Sequence, residues 1–143
     1  CAIPYGATPR AVSVNAKIRD LRKCARFIDG WFDAYRDAAE WIKRAQEYGL
    51  RTGKALPTLF GREIALPEEN EDAMRRKAVN YPILGSDGEI MKRALIMCQH
   101  LPLAVAVHDS ITCDGDIDFP MEQLETISPV RIPFAIKKTR RWE

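Results

Sequence analysis

Five consecutive apolar residues, Leu103-Ala104-Val105-Ala106-Val107, run into the polar stretch His108-Asp109-Ser110, beyond which Ile111 and Cys113 alternate with Thr112 and Asp114. A short all-apolar run reads as a strand buried on both faces, and period-two alternation reads as a half-buried partner strand. With a tight turn between them, residues 103–114 are predicted to form an antiparallel hairpin whose tip presents His108 and Asp109 together.

The rest of the chain must pack around that ribbon, and its patterning is mostly helical. From Leu21, the positions Leu21, Cys24, Ala25, Ile28, Phe32 and Tyr35 recur at helical spacing with Arg22, Lys23, Arg26 and Asp29 between them. A second helix is expected from Ala38 to Tyr48, stopping at Gly49, where glycine takes the left-handed conformation readily. Gly53, Pro57, Gly61 and Pro67 break residues 51–67 into a hairpin or irregular ribbon. The acidic run Glu68 to Asp72 suits a helix N-terminus, placing the start near Glu69. That helix is expected to be bent or bipartite around Pro82 and Gly85 and to resume from Asp87 to about Gln99. A short helix near Phe119 to Ile127 and a last strand over Arg131 to Lys137 complete the expectation. Helices packed on one side of a small antiparallel sheet make an α+β fold. No repeat, low-complexity tract or domain boundary interrupts it.

Composition narrows the function. A chain of 143 residues, 46% hydrophobic and 29% charged, has the make-up of one globular domain. Its 22 Lys and Arg against 20 Asp and Glu leave a net charge of only +2, so any nucleic-acid role must come from local clusters. Arg75, Arg76, Lys77, Lys92 and Arg93 form one such cluster, and Lys137, Lys138, Arg140 and Arg141 another. Either can neutralise phosphates, or simply be a solvated face and a basic tail. Cys1, Cys24, Cys98 and Cys113 form no CxxC pair, which argues for reduced thiols rather than a zinc or redox motif. No stretch approaches the roughly 18 apolar residues of a membrane span. The expected location is the cytoplasm, or the host cytoplasm if the source is viral, with no membrane partner.

At the hairpin tip, an aspartate between two strands is rigidly held, and its carboxylate can ligate a hard divalent cation. It can equally accept turn amides, as Asp often does.

The segment Ala78-Val79-Asn80-Tyr81-Pro82-Ile83-Leu84-Gly85-Ser86-Asp87-Gly88-Glu89-Ile90-Met91-Lys92 resembles the stretch of family A DNA polymerases written A-x-N-x-P-x-Q-G-T-A-A-D-I-x-K. Ala106-Val107-His108-Asp109 is similar to that family's motif C, V-H-D-E. Upstream, Thr58-Leu59-Phe60-Gly61-Arg62 with Leu66-Pro67 resembles its T-L-x-G-R-x-x-x-L-P ribbon, Tyr5-Gly6 the end of its motif B helix, and Trp142 a tryptophan near its C-terminus. These likenesses follow one another in the family's own order along essentially the whole chain.

The resemblance implies a C-terminal piece of a DNA-directed DNA polymerase, with residues 1–49 as the helical end of the fingers and 50–143 as part of the palm. Asp109 would be the motif C metal ligand, holding Mg2+ together with a motif A aspartate for two-metal nucleotidyl transfer. His108 would lie beside the primer terminus. Arg76, Asn80 and Lys92 would contact primer-template DNA, and Tyr5 would stack near the incoming dNTP.

Departures qualify this. Leu84 replaces the family's glutamine, removing an amide from the minor groove, and Ser110 replaces the motif C glutamate. Single-subunit phage-type RNA polymerases also carry H-D-S there, so a fragment of such an enzyme is one alternative. A non-catalytic DNA- or partner-binding palm module is another. No D-Y-S-x-I-E motif precedes Tyr5, so the chain is expected to be inactive alone and to need an N-terminal polymerase fragment. Cys1 stands where the family usually has phenylalanine, and cysteine is the nucleophile that a split intein requires downstream. A phage polymerase encoded in two pieces, joined by a split intein with Cys1 as the splice junction or by association, is one reading; a chain boundary that happens to fall on cysteine is the other.

Overall fold

The computed structural model describes residues 3–67 and 70–140, except the Tyr5 side chain. In chain order it forms a 3-10 helix (Ile3–Tyr5), helices α1 (Pro9–Ala16), α2 (Leu21–Ala34), α3 (Arg36–Thr52) and α4 (Glu71–Met97), strands β1 (Leu103–Val107) and β2 (Ser110–Cys113), and helix α5 (Met121–Glu125). Helices with one two-stranded antiparallel sheet make the α+β fold expected from the apolar pattern. Two compact units, Cys1–Leu84 and Gly85–Glu143, divide the chain, and the division falls inside α4. Cys1, Arg141, Trp142 and the expected helix start at Glu69 lie outside the described residues.

In the first unit, α2 starts at Leu21 because Asp20 caps it. One carboxylate oxygen of Asp20 accepts from the backbone amides of Arg22 at 2.9 Å and Lys23 at 3.1 Å, satisfying two donors that a helix start leaves open. The inner face of α2 brings Trp31 and Phe32 against Ile42 and Ala45 of α3 and Val79 of α4. Val79 is 1% exposed, so its burial contributes about 1.5–3 kcal/mol.

Helix α3 runs one turn beyond the expected stop. Gly53, with φ 66°, is the actual C-cap, and its amide donates to the Gly49 carbonyl at 2.9 Å. Gly49 serves instead as a point of close approach. A Cβ there would sit 2.6 Å from the Ala78 Cβ and 3.0 Å from a Leu66 methyl. The following ribbon is irregular, with a single bridge between Lys54 and Ala65 and a turn at Gly61 closed by its amide on the Thr58 carbonyl at 2.9 Å. Ala55 and Leu66 of the ribbon bury against Ala78.

Helix α4 starts at Glu71, where the Asn70 side chain accepts from the Ala73 amide at 2.9 Å. It then continues through Pro82 to Met97 as one element rather than two. An interior proline costs a backbone hydrogen bond. Burial on both sides of it, at Ala78 and Val79 before and Ile90 and Ala94 after, offsets that loss.

In the second unit, Ala94 of α4, Cys98 just past the end of that helix and Leu124 of α5 form the core, with Ile111 of β2, Phe119 and Phe134 packed on it. The last strand expected over Arg131 to Lys137 does not form. The Ile132 amide donates to the Glu125 carbonyl at 3.0 Å, Arg131 Nε donates to the Glu125 carboxylate at 3.0 Å, and Phe134 drops into the core. These contacts tie the segment to α5 rather than to the sheet. Cys24, Cys98 and Cys113 are free thiols, and burial pushes Cys98 and Cys113 up, which keeps them protonated. Among the described residues no helix is long and apolar enough to cross a membrane.

Gly49→Ala should destabilise the chain by about 1–3 kcal/mol through overpacking, despite alanine's better helix propensity. Gly30→Ala in α2, where an added Cβ meets nothing within 4 Å, should stabilise it by up to about 1 kcal/mol. Urea midpoints at unchanged m-value check both signs.

The hydrogen bond from Arg131 holds the Glu125 carboxyl below its usual range. A depressed folded-state pKa gives a contact that stabilises above the ordinary carboxylate pKa and is lost as pH falls through the depressed value. The exchange protection of the Ile132 amide should therefore drop on acidification through that window.

Candidate active site

β1 and β2 pair in the register Leu103↔Cys113, Val105↔Thr112, Ala106↔Ile111 and Val107↔Ser110, with a bulge between Leu103 and Val105. Register is set by Ile111, the β2 side chain that packs on the second unit's core. Two residues, His108 and Asp109, therefore close the hairpin. His108 takes φ 51°, unusual outside glycine but compatible with the primed turns that match strand twist. The Ser110 hydroxyl donates to the Val107 carbonyl at 2.8 Å and clasps the turn.

That clasp settles what Asp109 does locally. Its side chain is exposed, and it accepts no hydrogen bond from the described residues. The turn is closed by Ser110 instead, which leaves both carboxylate oxygens open to a ligand from outside. The clasp was missed in the sequence; a serine directly after an aspartate in a tight turn was its available signal.

β1 itself differs from expectation. All five of its residues are exposed rather than buried on both faces, with Leu103, Val105 and Val107 each about 38–39% accessible. Among the described residues only β2 pairs with it, and a two-stranded ribbon has too few layers to cover both faces of a strand.

On α4, Arg76 and Asn80 lie one turn apart on the same face. Ala78, fully buried, points about 160° away from each, since successive residues advance about 100°. Packing Ala78 inward thus turns Arg76 outward, where it is exposed, and leaves Asn80 half-buried. Gly6, φ +83°, lies against the Arg76 stem, where an added Cβ would sit 3.8 Å from Cγ. The first unit therefore brings the Tyr5-Gly6 backbone and Arg76 together; the Tyr5 side chain lies outside the described residues. In the second unit Lys92 is exposed on α4, and His108 and Asp109 stand side by side on the hairpin. Leu84 is 56% exposed, an apolar side chain in water where an amide would be at home. No group of three or more His, Cys, Asp or Glu side chains able to hold a metal occurs among the described residues.

The model of DNA polymerase family A matches residues 2–129. This chain belongs to that family. Among curated relatives, the thermostable DNA polymerase I of Thermus thermophilus is 26% identical over 152 aligned residues, covering 93% of this chain and 18% of that protein. DNA polymerase I of Pseudomonas aeruginosa is 28% identical over 125 residues, covering 78% of this chain and 14% of that protein. The POL domain of Pol1 from M. smegmatis, solved in complex with DNA primer-template and dNTP, superposes with a TM-score of 0.67 at 22% identity over 88% of this chain and 24% of that one. That likeness shows the family A fold. The chain spans less than a fifth of the length of the curated relatives it matches.

Ser110→Ala should cost about 0.5–1.5 kcal/mol by opening the clasp. Asp109→Asn, exposed and uncommitted, should stay within about 0.5 kcal/mol of the parent. Equilibrium urea unfolding measures both.

Proposed function

We propose that this chain is the C-terminal catalytic part of a DNA-directed DNA polymerase. The observation that carries the proposal is the open carboxylate of Asp109 at a His-Asp hairpin tip within a family A chain. In this reading residues 1–49 end the fingers and 50–143 contribute to the palm. The substrates are those of the M. smegmatis relative, primer-template DNA and a dNTP.

Asp109 fits Mg2+ by donor type, since hard cations take carboxylate oxygens. It is nevertheless one ligand where a two-metal site would need several. The remaining ligands, the motif A aspartate first, would come from the portion of the polymerase that this chain does not span. When bound, the ions supply the charge stabilisation for attack of the primer 3′-hydroxyl on the α-phosphate. The chain's own residues position the reactants. Arg76 pairs with a backbone phosphate, Asn80 hydrogen-bonds the primer-template, and Lys92 adds a second cation. His108 lies beside the primer terminus, and Tyr5 stacks near the incoming nucleotide. Leu84 offers no hydrogen bond to the minor groove, which favours reduced discrimination at the primer-template junction.

Leu84 and Ser110 together favour a second reading, a palm module that binds DNA or a replication partner without chemistry. Ser110 also fits a phage-type enzyme, for which ribonucleotide preference is the diagnostic. Primer extension in the presence of the N-terminal polymerase portion separates these readings. Asp109→Ala should lower incorporation on the order of 10³-fold or more, corresponding to several kcal/mol of transition-state stabilisation. Arg76→Ala should weaken DNA binding and reduce the salt slope by about 1. If the parent incorporates nothing at any magnesium or manganese concentration, the catalytic reading fails.

A further inference from the structure

Net charge conceals a local imbalance. Between Arg10 and Arg26 six cations stand against one acid, Asp20. Asp20 is itself occupied, its carboxylate accepting from the amides that open α2. Arg22, Lys23 and Arg26 project from the N-terminal half of that helix within about 100° of arc, opposite the buried Cys24. All three are exposed, and none forms an ion pair with the described residues.

Beside them stands a second feature that internal packing does not explain. Phe27 follows Arg26 and lies one turn from Lys23, and its ring is 61% exposed. Phe32 on the same helix packs inward, so α2 uses one phenylalanine for the core and leaves the other in water. Beyond Arg26 the same side of the helix carries the exposed acids Asp29 and Asp33, with Gly30 adding no side chain between them, so the basic stretch ends at Arg26 and Phe27.

We propose that this half of α2 is a binding face for single-stranded DNA, on which Arg22, Lys23 and Arg26 neutralise backbone phosphates and Phe27 stacks on an unpaired base. Cations combined with an exposed aromatic ring are the physical requirement for strand binding without sequence preference. Charge alone would suit duplex DNA or an acidic protein equally. The ring decides for a single strand, because paired bases keep their faces inside the duplex. The choice of DNA as the polyanion rests on the polymerase reading.

Fluorescence anisotropy of the full 143-residue chain tests this with labelled oligo(dT), a blunt duplex of equal length and polyglutamate of matched charge. The parent should prefer oligo(dT). Replacing Arg22, Lys23 and Arg26 together by Ala should weaken binding and lower the salt slope by about 2, since each single-strand phosphate contact contributes about 0.7. Arg22→Lys with Arg26→Lys should keep the slope. Phe27→Ala should weaken binding about fivefold or more at unchanged slope. Thermal melts should match the parent, because all four side chains project into water. An unchanged slope in the triple Ala variant, or duplex or polyglutamate bound as tightly as oligo(dT), overturns the proposal. Primer extension by the complemented enzyme keeps the two readings apart. Extension with oligonucleotide binding indifferent to these variants sinks this face alone, and no extension with the predicted binding losses sinks the polymerase reading alone.

Discussion

At the contact of α3 with the first half of α4 there is room for a hydrogen atom and no more. Gly49 has no side chain because Ala78 and a Leu66 methyl occupy the space a Cβ would need. That approach pins the ribbon, through Leu66 and Ala55, and fixes the rotation of α4 about its own axis. Rotation matters because Arg76 and Asn80 flank Ala78 on the opposite side. Turned by half a revolution, the helix would bury a guanidinium and expose its apolar positions, at a cost far above what one surface contact returns. The orientation of two candidate DNA-binding side chains is therefore a consequence of core packing.

Much of this was legible in the sequence where one pattern acted alone. The helix from Leu21 follows from six apolar positions at helical spacing, and the hairpin from a run, a turn and an alternation. The motif order from Thr58 to Asp109 carried the family assignment. What was not legible depended on contacts distant in sequence. Gly49 looks like a stop until Ala78 is seen against it, and Gly53, four residues on, closes the helix instead. Pro82 looks like a break until the burial on both sides is counted. The segment after Arg131 alternates like a strand, yet the pull of Glu125 and the pocket for Phe134 decide its path.

At the candidate site, chain order identified the residues and the structure supplied their condition. His108 accepts a left-handed backbone, a conformation costing on the order of 1–3 kcal/mol, and in return the turn is short enough to hold Asp109 at the end of paired strands. Ser110 substitutes for a longer acid and gains a local role, closing the turn with its hydroxyl. A carboxylate freed from that duty is the group a cation can use.

β1 has a further implication for the physical behaviour of the polypeptide. Its five residues include no charge, proline or glycine, and among the described residues its outer edge pairs with nothing. A bare row of amides and carbonyls beside water-facing valines is the template on which copies of a chain zip together, and the usual guards against that are missing here. Solutions of this polypeptide alone should be limited by self-association, because a sister copy is the strand at hand to cap that edge, and a molecule capped in that way is lost to aggregate.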